Sequence, residues 1–178
     1  MEFEIAEWRA TGGEEEVGML AEVLHATVHG GASVNFVLPF PKEQARAFWR
    51  DSVIPEVAQG RRRVLVARCG GRIVGTVQLA LAPQPNQRHR GEVMKLLVHP
   101  EARRRGIARA LMAAVEEIAR AEGRTLLTLD TRTGDAAEPL YESLGYVRVG
   151  VIPRYSRAVD SPRLEAATIL YKELETGT

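Results

Sequence analysis

Three consecutive arginines, Arg103, Arg104 and Arg105, stand immediately before Gly106, and a helical pattern begins at the next residue. That order has a chemical use. The first turn of a helix leaves its backbone N–H groups unpaired and carries a partial positive charge. A glycine lets the backbone approach a ligand closely, and arginines beside it add fixed cations with forked donors. The combination suits a pyrophosphate or another clustered anion. The triplet alone could equally be a solvated charge run on an ordinary strand–helix connection; the glycine at the start of a strongly patterned helix favours the anion. Neither G-x-x-x-x-G-K-[ST] nor G-x-G-x-x-G occurs in this turn.

Other reactive side chains carry less. His25 and His29 are four apart on one helical pattern, a spacing that can hold a metal. No glutamate follows His25 and no third ligand is evident, so the pair reads as a helix-surface or substrate-side feature, and no metal is expected. His89 and His99 fall in loops and read as solvated. Cys69 is the single cysteine. It can close no internal disulfide, and with no histidine or acid beside it, it reads as structural. A second basic run, Arg61–Arg63, reads as a solvated approach to a strand.

The arginine turn must be held by a strand before it and a helix after it. The stretch "EVMKLLV" is apolar enough for a strand, and His99-Pro100 ends it because proline donates no ladder bond. Ile107, Leu111, Val115 and Ile118 then recur at helical spacing. The prediction is strand 91–98, basic turn, helix 106–121. Upstream, "EFEIAEW" alternates like a strand, and Val17, Leu20, Ala21, Leu24 and Val28 form a helical stripe closed by Gly30-Gly31. The stretch "KEQARAFWRDSVIPEVAQG" reads as a second helix, with Phe48 and Trp49 inward and Pro55 disturbing it. "RVLVARC" and "RIVGTVQLALA", joined by Gly70-Gly71, signal a hairpin. Downstream, "RTLLTLD" is a strand ending at Asp130, "TRTG" a turn and "DAAEPLYESLG" a short helix. "YVRVG" and "AATILYKEL" are strands, and "VIPRYSRAVDSPRLE" between them reads as a long loop. Strands 91–98 and 125–130 flank a helix and should run parallel if adjacent. The hairpin is antiparallel, so the sheet is mixed, with helices on its faces.

At 178 residues, without a repeat or linker, the chain reads as one domain spanning 1–178. A net charge of +1 gives no global drive toward nucleic acid or an anionic membrane. The N-terminal "MEFEIAEWR" is unlike a signal or transit peptide, no apolar run approaches membrane-spanning length, and a cytoplasmic location is expected.

With that element order and that turn, the chain resembles the GNAT N-acetyltransferase superfamily. The family's [R/Q]-x-x-G-x-[G/A] signature stands here as Arg103-Arg104-Arg105-Gly106-Ile107-Ala108. A second block, "LTLDT…AAEPLYESLGYVRVG", matches the family's strand, tyrosine-bearing helix and Leu-Gly-Tyr. The resemblance covers nearly the full length. Within the superfamily, "TVHGGASV", "GEVMKLLV", "LLTLDT" and "YVRVGVIPRY" are most similar to the tabtoxin-resistance type. Two departures stand in the turn: Arg104 and Ala108 replace the first and last glycines of the common R-G-x-G-x-G form. Gly134 replaces an asparagine that many members carry before the tyrosine-bearing helix, so no contact is carried over to it.

The resemblance implies an α/β (α+β) fold: a mixed, mostly antiparallel sheet with a splayed parallel strand pair and helices on both faces. It implies acetyl-CoA as cofactor, its pantetheine arm lying between strands 91–98 and 125–130 against the backbone of Leu96, Leu97 and Val98, its pyrophosphate on the Arg103–Ala108 turn. Transfer to an amine requires a neutral nitrogen, a stabilised oxyanion and a proton for the departing thiolate. Glu92, entering one splayed strand, and Asp130, leaving the other, are the candidate bases; singly they also fit a strand-edge acid and a turn acid. Tyr141 lies where the family places its general acid. A backbone N–H near Leu96 or Leu97 should meet the oxyanion. The substrate pocket should come from "HGGASVNF" and "VIPRYS", with Ser33 and Tyr155 as polar contacts. The acceptor implied is a small-molecule amine, amino-acid-like toxins or antibiotics among them. A protein or peptide acceptor, a non-catalytic acyl-CoA-binding module and a homodimer stay open at this point.

Overall fold

The computed structural model describes residues 2–175. In chain order its elements are β1 (Glu4–Glu7), α1 (Gly13–His29), α2 (Lys42–Ala47), α3 (Ile54–Ala58), β2 (Arg62–Cys69), β3 (Arg72–Leu81), β4 (Arg90–Val98), α4 (Ile107–Ala121), β5 (Leu126–Arg132), α5 (Ala137–Ser143), β6 (Val147–Arg157) and β7 (Leu164–Glu173). The seven strands form one sheet in the order β1-β2-β3-β4-β5-β7-β6. Every neighbouring pair is antiparallel except β4 and β5, which are parallel. This is the mixed, mostly antiparallel sheet expected from the sequence.

Two apolar layers hold the helices to opposite faces. On one, Leu111, Met112, Val115 and Ala119 of α4 are fully buried against Leu79, Val93, Leu127 and Leu170. The spacing of those α4 residues is that of one helical stripe, which seats α4 across the strands. On the other face, Leu20, Leu24 and Val28 of α1 pack with Trp49, Val53, Val64 and Val66. Gly91 lets the central strands close up: a Cβ there would lie 2.8 Å from Leu79 Cδ1.

Four local differences from the sequence reading have physical causes. Between α2 and α3 the helix widens into a π turn over Phe48–Val53, where Ile54 donates to the carbonyl of Trp49. Pro55 follows directly, and the shifted bonding accommodates the donor that proline lacks. The predicted loop 151–165 is largely strand: β6 runs through Arg157, and only register shifts between Arg148/Gly150 and Ile152/Ser156 break its pairing with β7. Those irregularities and Pro153 hide the strand pattern. β5 continues past Asp130 to Arg132, because Asp130, Thr131 and Arg132 pair with Ile169, Thr168 and Ala167 of β7. Arg62 and Arg63 are not a free solvated run: Arg62 donates to Gln78 Oε1 at 2.9 Å, and Arg63 Nε donates to Glu122 Oε1 at 2.8 Å.

Candidate active site

The parallel ladder between β4 and β5 is short. It covers Arg90↔Leu126, Gly91↔Leu127 and Glu92↔Thr128. From Glu92 onward β4 stays with β3 while β5 stays with β7 through Arg132, so the two strands diverge. A strand edge facing such a gap offers unpaired N–H and C=O groups to an extended ligand. A cleft of about 680 Å³ opens there, and β4 lines it from Glu92 through Val98. β4 also carries a bulge: three steps from Met94 to Leu97 answer two steps from Gln78 to Thr76 on β3. Lys95, inside the bulge, takes a left-handed φ of 52°.

At the far end of β4 the chain makes the arginine turn. Gly106 precedes α4 with φ 81°, a conformation glycine adopts without a steric penalty. A Cβ placed on Gly106 meets nothing within 4 Å, so the turn leaves open space over the start of α4. Arg103 and Arg104 line the main cleft, as does Ala108. Gly106 and Ile107 line an adjoining cavity of about 210 Å³, shared with Arg103, Arg104 and Ala108. Arg103 Nε donates to the Val98 carbonyl at 3.2 Å, tying the turn to the strand's end. Arg104, standing where the common form has glycine, is held at φ 61°. Arg105 lines neither cavity and donates to the Glu101 carbonyl at 3.2 Å. Open backbone donors, two cleft-lining cations and an unobstructed glycine fit a pyrophosphate.

Glu92, Asp130, Tyr141 and Ser33 all line this one cleft. Desolvation raises the Asp130 carboxyl above its ordinary value even though the residue is exposed, opposed by the Lys95 cation and by its own backbone N–H. The Tyr141 side chain is 7% exposed, and burial, aided by Asp135 and Asp130, pushes its phenol well up. Tyr155, on β6, is half exposed and is not part of the cleft wall. Its hydroxyl nonetheless senses both acids: the Asp130 charge, then partial burial, then the Glu92 charge raise it. His25 and His29 stack at 4.0 Å between ring centroids on α1.

Sequence reasoning missed Lys95 and Arg132. Lys95 lines the cleft beside the two acids; the signal was a lysine interrupting an apolar strand. Arg132 also lines it, donating to the Gly31 carbonyl at 3.1 Å and to Asp135 at 3.1 Å. It ties β5 to the loop after α1, a link of 101 residues that no local pattern reveals.

A splayed parallel pair that ends on a basic glycine turn at a helix start is a geometry that suits a phosphate-bearing ligand along a strand edge. Residues 32–146 match the acetyltransferase (GNAT) family. An uncharacterised N-acetyltransferase from the hisH-hisA intergenic region of Azospirillum brasilense is 34% identical over 123 residues, 67% of this chain and 70% of that protein. The chain belongs to the GNAT acetyltransferase family, whose members use acetyl-CoA. Among solved structures, the yncA protein of Salmonella typhimurium, determined with its cofactor acetyl-CoA, superposes with a TM-score of 0.77 at 19% identity, covering 98% of this chain and 95% of that one. A ribosomal-protein-alanine N-acetyltransferase from Brucella melitensis superposes at 0.76 with 25% identity, covering 98% of this chain and all of that one, 100%.

Proposed function

We propose that this chain transfers an acetyl group from acetyl-CoA to the amine of a small molecule, by direct attack while both are bound. The observation that carries the reading is a single cleft of about 680 Å³ that joins the strand gap and the arginine turn to Glu92, Asp130 and Tyr141. When bound, acetyl-CoA supplies an acyl carbon activated as a thioester. The backbone of Leu96, Leu97 and Val98 holds the arm along the free edge of β4. Arg103, Arg104, Gly106, Ile107 and Ala108 hold the phosphates, and Arg105 adds only its more distant charge. A backbone N–H at Leu96 or Leu97 steadies the oxyanion as negative charge develops.

The acceptor reaches neutral solution as an ammonium, since ordinary alkylamines titrate near 10.4. Glu92 and Asp130 attract and hold that cation, and the site must then strip its proton. The Tyr141 phenol, held protonated by burial, gives its proton to the leaving sulfur. Ser33 and the Tyr155 hydroxyl bind polar groups of the acceptor. Amino-acid-like toxins or antibiotics belong to the acceptor class this site would accept. The likeness to the Brucella enzyme supports a second reading, a protein N-terminus as acceptor.

Thiol release from acetyl-CoA, followed with a panel of small amines and with peptides of free N-terminus, separates the readings. Faster turnover with small amines is expected. Preference for peptides would favour the second reading, and coenzyme binding without turnover on either panel would leave an acyl-CoA-binding module.

A further inference from the structure

Lys95 is out of place for a lysine. It sits in the middle of β4, in a strand whose neighbours Val93 and Leu97 are buried core. The bulge and its φ of 52° turn the backbone at this residue, a conformation that side-chain-bearing residues adopt only against steric resistance. The side chain lines the cleft that holds Glu92, Asp130 and Tyr141. Its Nζ lies 6.0 Å from the centre of the Phe36 ring, at the outer edge of cation–π range. Among the described residues no hydrogen bond fixes its ammonium. Arg132, the other missed cation, is tied to Gly31 and Asp135; Lys95 is not tied in this way.

We infer that Lys95, in its neutral form, takes the proton from the acceptor's nitrogen, while Glu92 and Asp130 hold that nitrogen in place. The inference rests on the proposed acetyl transfer and names the base within it.

The charges around Lys95 support the assignment. Burial pushes its ammonium down to about 8; Asp130 opposes this, Arg62 adds to it, and Glu92 opposes it. Arg62 faces it from β2, Asp130 from β5 and Glu92 from its own strand. Tyr141 of α5 and Tyr155 of β6 sense Asp130, and Arg132 and Asp135 share the cleft wall. α1 contributes the uncharged Thr27. An ordinary alkylammonium titrates near 10.4 and an ordinary carboxylate near 4, so proton transfer to a carboxylate runs against roughly six decades. Transfer to Lys95 runs against roughly two. A base works best when its pKa lies near the working pH.

The protons balance. The acceptor arrives with three hydrogens on nitrogen. Its first proton passes to Lys95 Nζ, directly or through water, and frees the lone pair. The C–N bond forms, the C–S bond breaks, and the sulfur takes the Tyr141 proton. The second nitrogen proton returns to Tyr141 through the acids or water. Lys95 discharges its proton to solvent, leaving amide, thiol and one released proton.

The test compares Lys95→Arg with Lys95→Met. Arginine keeps the cation and cannot become neutral near physiological pH; methionine keeps the stem and removes the charge. With an ordinary alkylamine acceptor, which arrives as the ammonium and itself titrates near 10.4, parental kcat should rise with pH through about 8. Both variants should lose that rise and about 100-fold or more in kcat, within the reach of general-base catalysis. Coenzyme A affinity and the melting temperature report that each variant is folded and loaded. Independently of turnover, the ¹⁵Nζ signal that disappears in Lys95→Arg should titrate in the parent near 8. Parental kcat in Lys95→Arg, or a Lys95 titration at the ordinary value near 10.4, overturns the inference. A parent inactive on every amine counts against the proposed function, and the titration still judges Lys95.

Discussion

Desolvation raises both Asp130 and Tyr141, although the aspartate stays exposed and the tyrosine is buried. It raises the Asp130 carboxyl against the pull of the Lys95 cation, and that carboxylate holds the acceptor's cation. It raises the Tyr141 phenol, so that group keeps a proton to give. Tyr141→Phe preserves the ring contact with Tyr146, whose centroid lies 5.9 Å away. Turnover should fall about 10- to 100-fold or more while coenzyme A affinity stays unchanged; undiminished turnover would leave Tyr141 a packing residue. Glu92→Gln with Asp130→Asn keeps both shapes and removes both charges. Each single change should weaken acceptor use in part and the pair severely, because groups acting as a unit are not additive. The sign for Asp130 is definite. Its ionised form is required and its pKa is raised, so parental activity should be lost as pH falls through a value above the ordinary 3.8. Asp130→Asn should shift or remove that acid limb in a pH–rate profile. That these residues line one cleft was anticipated through the family resemblance of their strand and helix blocks. Lys95 was not, since only the bulge turns it into the cleft, and a bulge leaves no periodic trace in "EVMKLLV".

The arginine turn is an element in which conformation and charge pull on one residue. Arg104 adopts φ 61°, where a side chain costs about 1–2 kcal/mol. Arg104→Gly should therefore raise the melting temperature while weakening coenzyme A binding. The expected weakening is about tenfold or more, the scale of one charge-assisted hydrogen bond of about 1.5 kcal/mol. Arg105→Ala is the matched control: its guanidinium turns back to Glu101, and affinity should barely move. Calorimetric titration with coenzyme A reads both, and equal losses at the two positions would contradict the geometry. The turn and its flanking strand and helix were readable from sequence because glycine, arginines and a 3.6-residue stripe are local signals. β6 was not. Its pairing with β7 is irregular twice, and most of its side chains are exposed, so neither alternation nor burial marks it.

Across the whole molecule, two apolar layers position one cleft. α4 anchors the arginine turn through Leu111, which is fully buried between α4 and the sheet. Leu111→Ala should cost about 2–5 kcal/mol of unfolding free energy, measured by denaturant titration; a loss below about 1 kcal/mol would mean the layer repacks freely. Element order was legible because strand and helix periods alternate along the chain. The separation of β4 from β5 was legible only through the family resemblance, since no local pattern shows β7 inserting beside β5. That separation is what allows donor and acceptor to meet in one cavity, and direct attack with both bound is the central claim. Initial rates measured over a grid of acetyl-CoA and amine concentrations test it most directly. Double-reciprocal lines that intersect are the predicted result; parallel lines, with the acetyl group recovered covalently on the free enzyme, would contradict it.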